Sequence, residues 1–409
     1  MKVLFVHQNF PGQFLYLAPA LRARGHDCKA LTDAKNKREA SIPILRYRHD
    51  MPPPDPGATR LGRNFTQMTD RAVTVARACL QLRDKHGYAP DVIFGHSGWG
   101  ETLFLKEVWP DAKLIVYAEF YYRGVSRDVG FDPEFSRPGF DPVMSAQSRA
   151  AHLGQSLLHA DAAIAPTKWQ ASTYPAPLRP MIEVIFDGVN TAVMTPNPQA
   201  TLTVPNGKTL RAGDEVLTFV NRNLEPYRGY HSFMRALPDV MSARPEAEVV
   251  IVGGDDVSYG AAPPKDQTWK QIFLDEVKDR LDLSRVHFLG KVPYPEFVAL
   301  MQISRVHAYF TYPFVLSWSM LEAMSAGAYV IGSRSPPVEE LIEDGVNGRL
   351  VDFFDIKSWS AALIEGLAEP ERFMPLRKAA RQTILDGYDL HRVCMPRMVD
   401  FVESFAPQD

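Results

Sequence analysis

The chain has little cysteine: three residues in 409, Cys28, Cys79 and Cys394, far apart from one another. So sparse and odd a set excludes a disulfide framework and any cysteine cluster at metal-ligand spacing, and it points to a reducing compartment. No apolar run approaches the roughly 20 residues needed to span a bilayer. The opening MKVLFVHQNF has an apolar run of four residues closed by polar His-Gln-Asn, so it does not read as a signal peptide. A cytoplasmic protein is expected, with at most a peripheral contact at the inner membrane face. Neither sign of charge dominates: 45 basic against 48 acidic residues give a net charge of -3, which argues against nucleic acid as the main partner. Short-period repeats and low-complexity runs are also missing.

What is present is a soluble, globular composition, 45% hydrophobic and 23% charged, in a chain long enough for two domains. KVLFVHQ, DCKALT, DVIFGHS, KLIVYAEF and ADAAIAPT read as buried strands, and LYLAPALRARGH and GETLFLKEVW as helices between them. A second series begins near Leu217. VLTFVNR, AEVVIVGG, VHFLG, HAYFTY and AYVIGS alternate with HSFMRALPDVMSAR, WKQIFLDEVKDRL, PEFVALMQI and SMLEAMSAG. Such alternation predicts an α/β chain with two Rossmann-like, doubly wound parallel sheets facing a central cleft. The expected division is an N-terminal domain over 1–186, a Pro-, Asn- and Gly-rich linker over 187–214 and a second domain over 215–385. A helical segment, 386–409, follows and is placed to pack back on the first domain. Open α/β sheets bind ligands at the carboxyl ends of their strands, so function should sit in the loops that follow them.

Several of those loops carry chemistry. Gly12, in FPGQF after the first strand, allows close approach to a phosphate, although an ordinary turn has the same look. His96 stands at a strand tip among glycines and is a candidate polar or acid–base group. Arg222 and Arg228 bracket a Glu-Pro turn and could grip one diphosphate, the alternative being two solvated arginines. Asp255 and Asp256 invite a metal reading, but a turn explains them equally and a diphosphate held by arginines needs no metal. Ser317 or Ser319 can cap a helix ended by Gly327, and Glu322 one turn inside it must bind backbone N–H groups or ligand hydroxyls. Glu119, Tyr121, Tyr122 and Arg123 suit a sugar acceptor at a cleft edge, or ordinary packing.

Taken in order, these segments resemble the retaining GT-B glycosyltransferases of family 4, also called glycosyl transferases group 1. The likeness runs through HQNFPGQFLYLAPALRARGH, VIFGHSGWG, PTKWQASTY, VIFDGVNTAVMTP, VNRNLEPYRG, VIVGG, VHFLGKVPYPEFVALM, LEAMSAG and ELIEDGVNGRLV. The resemblance implies transfer of a sugar from a nucleotide-diphosphate donor to a glycan or lipid-linked acceptor, with retention, without metal or cofactor, in cell-envelope polysaccharide synthesis. It implies that Arg222 and Arg228 bind the donor diphosphate, with Gly12 nearby, and that His96 lines the reaction centre. Glu322 is implied to hold the ribose, and Lys291 and Val292 to lie against the base. One position departs from the family pattern: Phe314 stands where the first of two glutamates is usual, eight residues before Glu322. Ser317, Trp318 and Ser319 are then expected to meet the sugar. The alternatives are a non-catalytic nucleotide-sugar-binding partner subunit, or an epimerase of the same fold, for which His96 and Glu119 are the obvious acid–base candidates.

Overall fold

The computed structural model describes residues 1–53, 57, 59–124, 127–137 and 139–407, and divides into two compact units. The first comprises Met1–Gly130, Ser136–Asp187 and the stretch from His391 onward. Its sheet has seven strands: β1 (Lys2–Val6), β2 (Asp27–Asp33), β3 (Ile44–Tyr47), β4 (Val92–His96), β5 (Lys113–Tyr117), β6 (Ala162–Ala165) and β7 (Ile182–Val184). They run parallel in the order β3-β2-β1-β4-β5-β6-β7. Helices cover both faces of such a sheet, so its central strands are apolar on both sides, and β4 is buried along its whole length.

One face carries the helix Gly62–His86, which buries Ala72, Val75 and Cys79 and ends on Gly87 in the left-handed conformation. The other carries Leu17–Ala23 and the terminal helix Met395–Glu403, whose Met398, Val399 and Val402 share a core with Val3, Phe5 and Leu21. Glu403 fixes that helix through Arg24 at 2.6 and 2.7 Å and His26 at 2.8 Å. The segment GETLFLKEVW, expected as a helix, is helical only over Leu105–Val108. Its first residues are spent on burial instead: the Glu101 carboxylate accepts from the Tyr47 hydroxyl and from Gln8 N–H.

The second unit comprises Gly188–Leu390 and the pentapeptide Phe131–Phe135. The stretch expected as a linker is folded into it. The strands β8 (Thr201–Thr203) and β9 (Thr209–Arg211) form an antiparallel hairpin around Asn206-Gly207 and bury Leu202 and Leu210. The main sheet holds β10 (Val216–Asn223), β11 (Glu248–Gly254), β12 (Val286–Gly290), β13 (Val306–Tyr309), β14 (Tyr329–Ser333) and β15 (Arg349–Val351). It is parallel throughout, in the order β12-β11-β10-β13-β14-β15.

The pentapeptide inserts as an aromatic clamp. Phe131 packs on Tyr312, Phe353 and Phe354, and Phe135 on His231, Trp269 and Phe273. Between them Asp132 accepts from Tyr312 at 2.8 Å and pairs with His231 at 3.1 Å, while Glu134 meets Arg235 through two 2.7 Å contacts.

Candidate functional site

The carboxyl ends of β1, β4 and β5 in the first unit hold one group of polar residues. His7 follows β1 directly. Its Nδ1 accepts from Asn9 N–H at 2.9 Å, which places the proton on Nε2, and Nε2 donates to Gln13 Oε1 at 3.0 Å. The Gln13 amide then donates to Glu119 Oε1 at 3.2 Å. Gly12 is required where it stands. Its φ is +48°, and a Cβ there would lie 2.6 Å from His7 Nε2.

His96, the last residue of β4, is 1% exposed. Its ring stacks on Tyr117 and leans on Trp99 and His7. Its Nδ1 accepts from Gly98 N–H at 3.0 Å, so Nε2 carries the hydrogen. That N–H has no hydrogen-bond partner among the described residues, and Glu119 Oε2 lies 3.8 Å away. Burial, and then the neighbouring His7, push the His96 pKa well below its usual value, and burial brings His7 to about 4. Both rings are therefore neutral at physiological pH, and His96 presents a buried, preorganised N–H donor.

The acceptor candidates fall into two settings. Tyr121 is turned into the core against Tyr174, while Glu119, Tyr122 and Arg123 are half-exposed and Tyr122 lies under the Arg149 guanidinium.

In the second unit the turn after β10 is built around Arg228. Gly229, at φ +66°, lets the chain enter the helix Tyr230–Ala243, and a Cβ there would strike Phe310 at 2.3 Å. Arg228 is buried, and one of its amino nitrogens donates to Thr311 Oγ1 at 2.8 Å, Val315 O at 2.9 Å and Tyr309 Oη at 3.4 Å. The rings of Tyr259 and Phe314 lie 5.2 and 5.6 Å from its guanidinium carbon. Burial works against its charge, and Tyr309, Tyr259 and Glu225 more than offset that, leaving its pKa raised. Glu225, also buried, clasps the amides of Ser258, Tyr259 and Gly260 and so fixes the loop that carries Tyr259. Arg222 is placed differently. It is exposed on β10 and makes no hydrogen bond or ion pair among the described residues.

Ser317 caps the helix Trp318–Ala326 through Ser319 N–H, with Trp318 exposed and Ser319 buried behind it. Glu322, in the second turn, is half-buried and has no partner among the described residues. Burial pushes its pKa up to about 7. Phe314 is 2% exposed and packs on Tyr227 and Tyr259. Its ring covers Arg228 rather than open space.

Lys291 crosses Gly254 to meet Asp256 at 3.0 Å, with half-buried Val292 beside it, and Asp255 lies 3.9 Å from Lys270. Both carboxylates thus face lysines. Asp132, Glu134 and His231 bring potential metal ligands within 4.8 Å of one another, but the Arg235 fork already occupies Glu134.

The sequence pattern did not single out His7, Gln13, Trp99, Tyr259 or Thr311. His7 and Thr311 each follow a strand, and that position was their available signal.

Comparison with known proteins gives this geometry a family. The model of the glycosyl transferase family 4 group matches residues 24–194, and that of the glycosyl transferases group 1 matches 204–383. A D-inositol 3-phosphate glycosyltransferase of Corynebacterium urealyticum is 25% identical over 334 residues, 78% of this chain and 73% of that protein. The same-named enzyme of Segniliparus rotundus is 24% identical, but the alignment covers 49% of its length. Among solved structures, Anabaena HepE in complex with UDP and glucose superposes with a TM-score of 0.68 at 15% identity, over 99% of this chain and 100% of that one. Sucrose-phosphate synthase of Thermosynechococcus elongatus reaches 0.73 at 18% identity, over 99% of both chains. At such identities the structures speak for the fold alone, and that fold is GT-B. With two family models matched in order, one over β2 to β7 of the first sheet and one over the whole six-stranded sheet, the chain belongs to the family 4, group 1 glycosyltransferases.

Proposed function

We propose that this glycosyltransferase takes its sugar from a nucleotide-diphosphate donor and passes it, with retention of configuration and without a metal, to a glycan or lipid-linked acceptor of the cell envelope. The observation that carries the donor reading is Arg228. Its guanidinium is fixed in a buried turn by neutral oxygens and two aromatic rings, and among the described residues no carboxylate hydrogen-bonds to it. A preorganised cation of this kind stabilises charge that develops on a leaving diphosphate. HepE was solved with UDP-glucose, which supports the same class of donor here.

In this mechanism the bond from the anomeric carbon to the diphosphate oxygen breaks while the acceptor oxygen forms its bond on the same face. The leaving diphosphate takes the acceptor proton. Arg228, with exposed Arg222, balances the charge gained by the diphosphate. His96, neutral, donates its Nε2–H to a sugar hydroxyl and takes no proton. Gly12 keeps the backbone close to the phosphates, and Glu322 accepts from the ribose hydroxyls. Lys291 and Val292 flank the base. Ser317, Trp318 and Ser319 face the sugar, with Glu119, Tyr122 and Arg123 toward the acceptor.

The test is thermal stabilisation by a panel of UDP, GDP and ADP sugars, each variant compared with its own ligand-free form. A donor at 100 times its Kd should add about 2.7 kcal/mol. Arg222→Ala, a surface change, should weaken that gain without altering the ligand-free protein. Turnover of the stabilising donor should survive EDTA. Binding without hydrolysis or transfer would mark a binding subunit instead, and no stabilisation by any nucleotide sugar would end the proposal.

A further inference from the structure

A second constellation in the first unit is not used by this mechanism. It is a cavity of about 600 Å³ walled by Gln8 and Asn9 after β1, Asp33 at the end of β2 with residues 35–38 beyond it, His49 and Met51 after β3 and Arg71 on the helix Gly62–His86. Four of its residues are cationic, Lys35, Lys37, Arg38 and Arg71, against the single carboxylate of Asp33.

Those charges are poorly neutralised. Among the described residues Lys37 and Arg38 bind only backbone carbonyls, of Ala34 at 2.9 Å and Asn9 at 3.1 Å. Lys35 donates to His49 O at 3.3 Å and comes no nearer than 4.0 Å to Asp50. Arg71, 11% exposed, donates to Gln8 Oε1 and lies 3.7 Å from Asp33, while its Nε has no partner among the described residues.

The orphaned atoms set the chemistry more narrowly than charge does. His49 is 4% exposed. Thr74 Oγ1 spends its hydrogen on Asp70 O, so the 3.1 Å contact between His49 Nδ1 and Thr74 Oγ1 has the ring as donor. Nε2 is then a bare acceptor, and it has no partner among the described residues. A cavity with unneutralised guanidinium and ammonium groups suits a phosphate, and a buried neutral acceptor among them suits a hydroxyl beside it. Gln8 and Asn9 follow His7 directly, so one loop serves both this cavity and the His96 group.

We infer that this cavity binds a polyol phosphate, its phosphate on Lys35, Arg38 and Arg71 and a neighbouring hydroxyl on His49 Nε2, as the phosphorylated end of the acceptor. The acceptor role rests on the transferase reading above, whereas the binding site does not. Soluble and lipid-borne esters share this chemistry, and separate arms of the test distinguish them.

The experiment is calorimetric titration of the full chain with glycerol 3-phosphate and with methyl phosphate, which lacks the hydroxyls. Co-sedimentation with phosphatidic acid vesicles, against phosphatidylcholine vesicles, forms a second arm. Glycerol 3-phosphate or phosphatidic acid should bind saturably, and Lys35→Ala/Arg38→Ala should weaken binding about tenfold or more, the loss of at least one charge-assisted contact. Both of those residues are exposed, so the variant should fold. His49→Phe should erase the preference for glycerol 3-phosphate over methyl phosphate. Vesicle binding lost in the double variant, with no soluble binding, would make the ester lipid-borne.

No binding in either arm, or binding untouched by both variants, overturns the inference. The panel of UDP, GDP and ADP sugars titrated into the same proteins separates the two readings. Phosphate binding without nucleotide-sugar binding would sink the transferase proposal and keep the cavity. Nucleotide-sugar binding without phosphate binding would sink the cavity alone.

Discussion

Glu322 offers a quantitative test because its carboxyl is half-buried in an apolar helix with no donor to serve it among the described residues. Burial lifts its pKa from the ordinary 4.5 to about 7. At about 1.4 kcal/mol per tenfold change in proton affinity, that difference corresponds to about 3 kcal/mol. The sign follows from linkage. The folded protein holds this proton more tightly than the unfolded chain, so stability is undiminished below about pH 4.5, falls as pH rises, and has lost the full amount above about pH 7. Glu322→Gln removes the titration while keeping the shape. Wild type and variant should therefore match in urea stability at pH 4.5, and the variant should be more stable by about 3 kcal/mol at pH 8. The assay is urea unfolding followed by tryptophan fluorescence at a series of pH values. With Glu322 proposed to accept from ribose hydroxyls once a donor is bound, the same variant should also bind nucleotide sugars at least about tenfold more weakly. A stability difference independent of pH, or one favouring wild type at pH 8, would refute the burial argument.

Three other outcomes follow from the geometry. His96→Ala should lower kcat/KM about 100-fold in the protein that remains folded, with a lowered melting temperature because a buried ring is removed, and the neutral ring should contribute no titration to the wild-type rate between pH 6 and 8. Activity that rises or falls through a histidine pKa in wild type and is flat in the variant would contradict a neutral donor. Gly229→Ala combines a φ of +66° with a 2.3 Å approach to Phe310, so it should cost about 3 kcal/mol or more, read as a lowered urea midpoint. Asp132→Asn leaves His231 and Tyr312 around an uncharged group, and breaking that buried pair should cost about 3 kcal/mol by the same measurement.

Much of the fold could be read from the chain because parallel strands buried on both faces leave continuous apolar runs, as in VLTFVNR and AEVVIVGG. Elements with weaker signals escaped. The 25-residue helix Gly62–His86 buries a stripe of only Ala72, Val75 and Cys79, small side chains among many polar neighbours, so it does not stand out. The hairpin around Asn206-Gly207 was hidden by its turn-rich surroundings, although Asn-Gly between short β-prone runs is its signature. GETLFLKEVW has helical spacing, but tertiary burial of Glu101 and Leu103 takes precedence over that propensity.

The candidate site was legible by position, since strand ends identify Gly12, His96 and Arg228, whereas pairings across strands were not. Nothing in a linear pattern joins His7 to Gln13 to Glu119, or lays Tyr259 over Arg228. Phe314 makes the point most sharply. As a letter in the sequence it is a missing sugar contact. In the fold its ring is buried against the Arg228 guanidinium. A carboxylate in that place would compete with a phosphate for the same cation, while an aromatic face attracts the cation and leaves its N–H groups uncommitted to any anion. The substitution therefore bears first on how strongly Arg228 can attract a diphosphate, and only second on which sugar it carries. Phe314→Glu should accordingly weaken diphosphate binding rather than restore it, and a nucleotide titration that finds the opposite would return this position to the sugar.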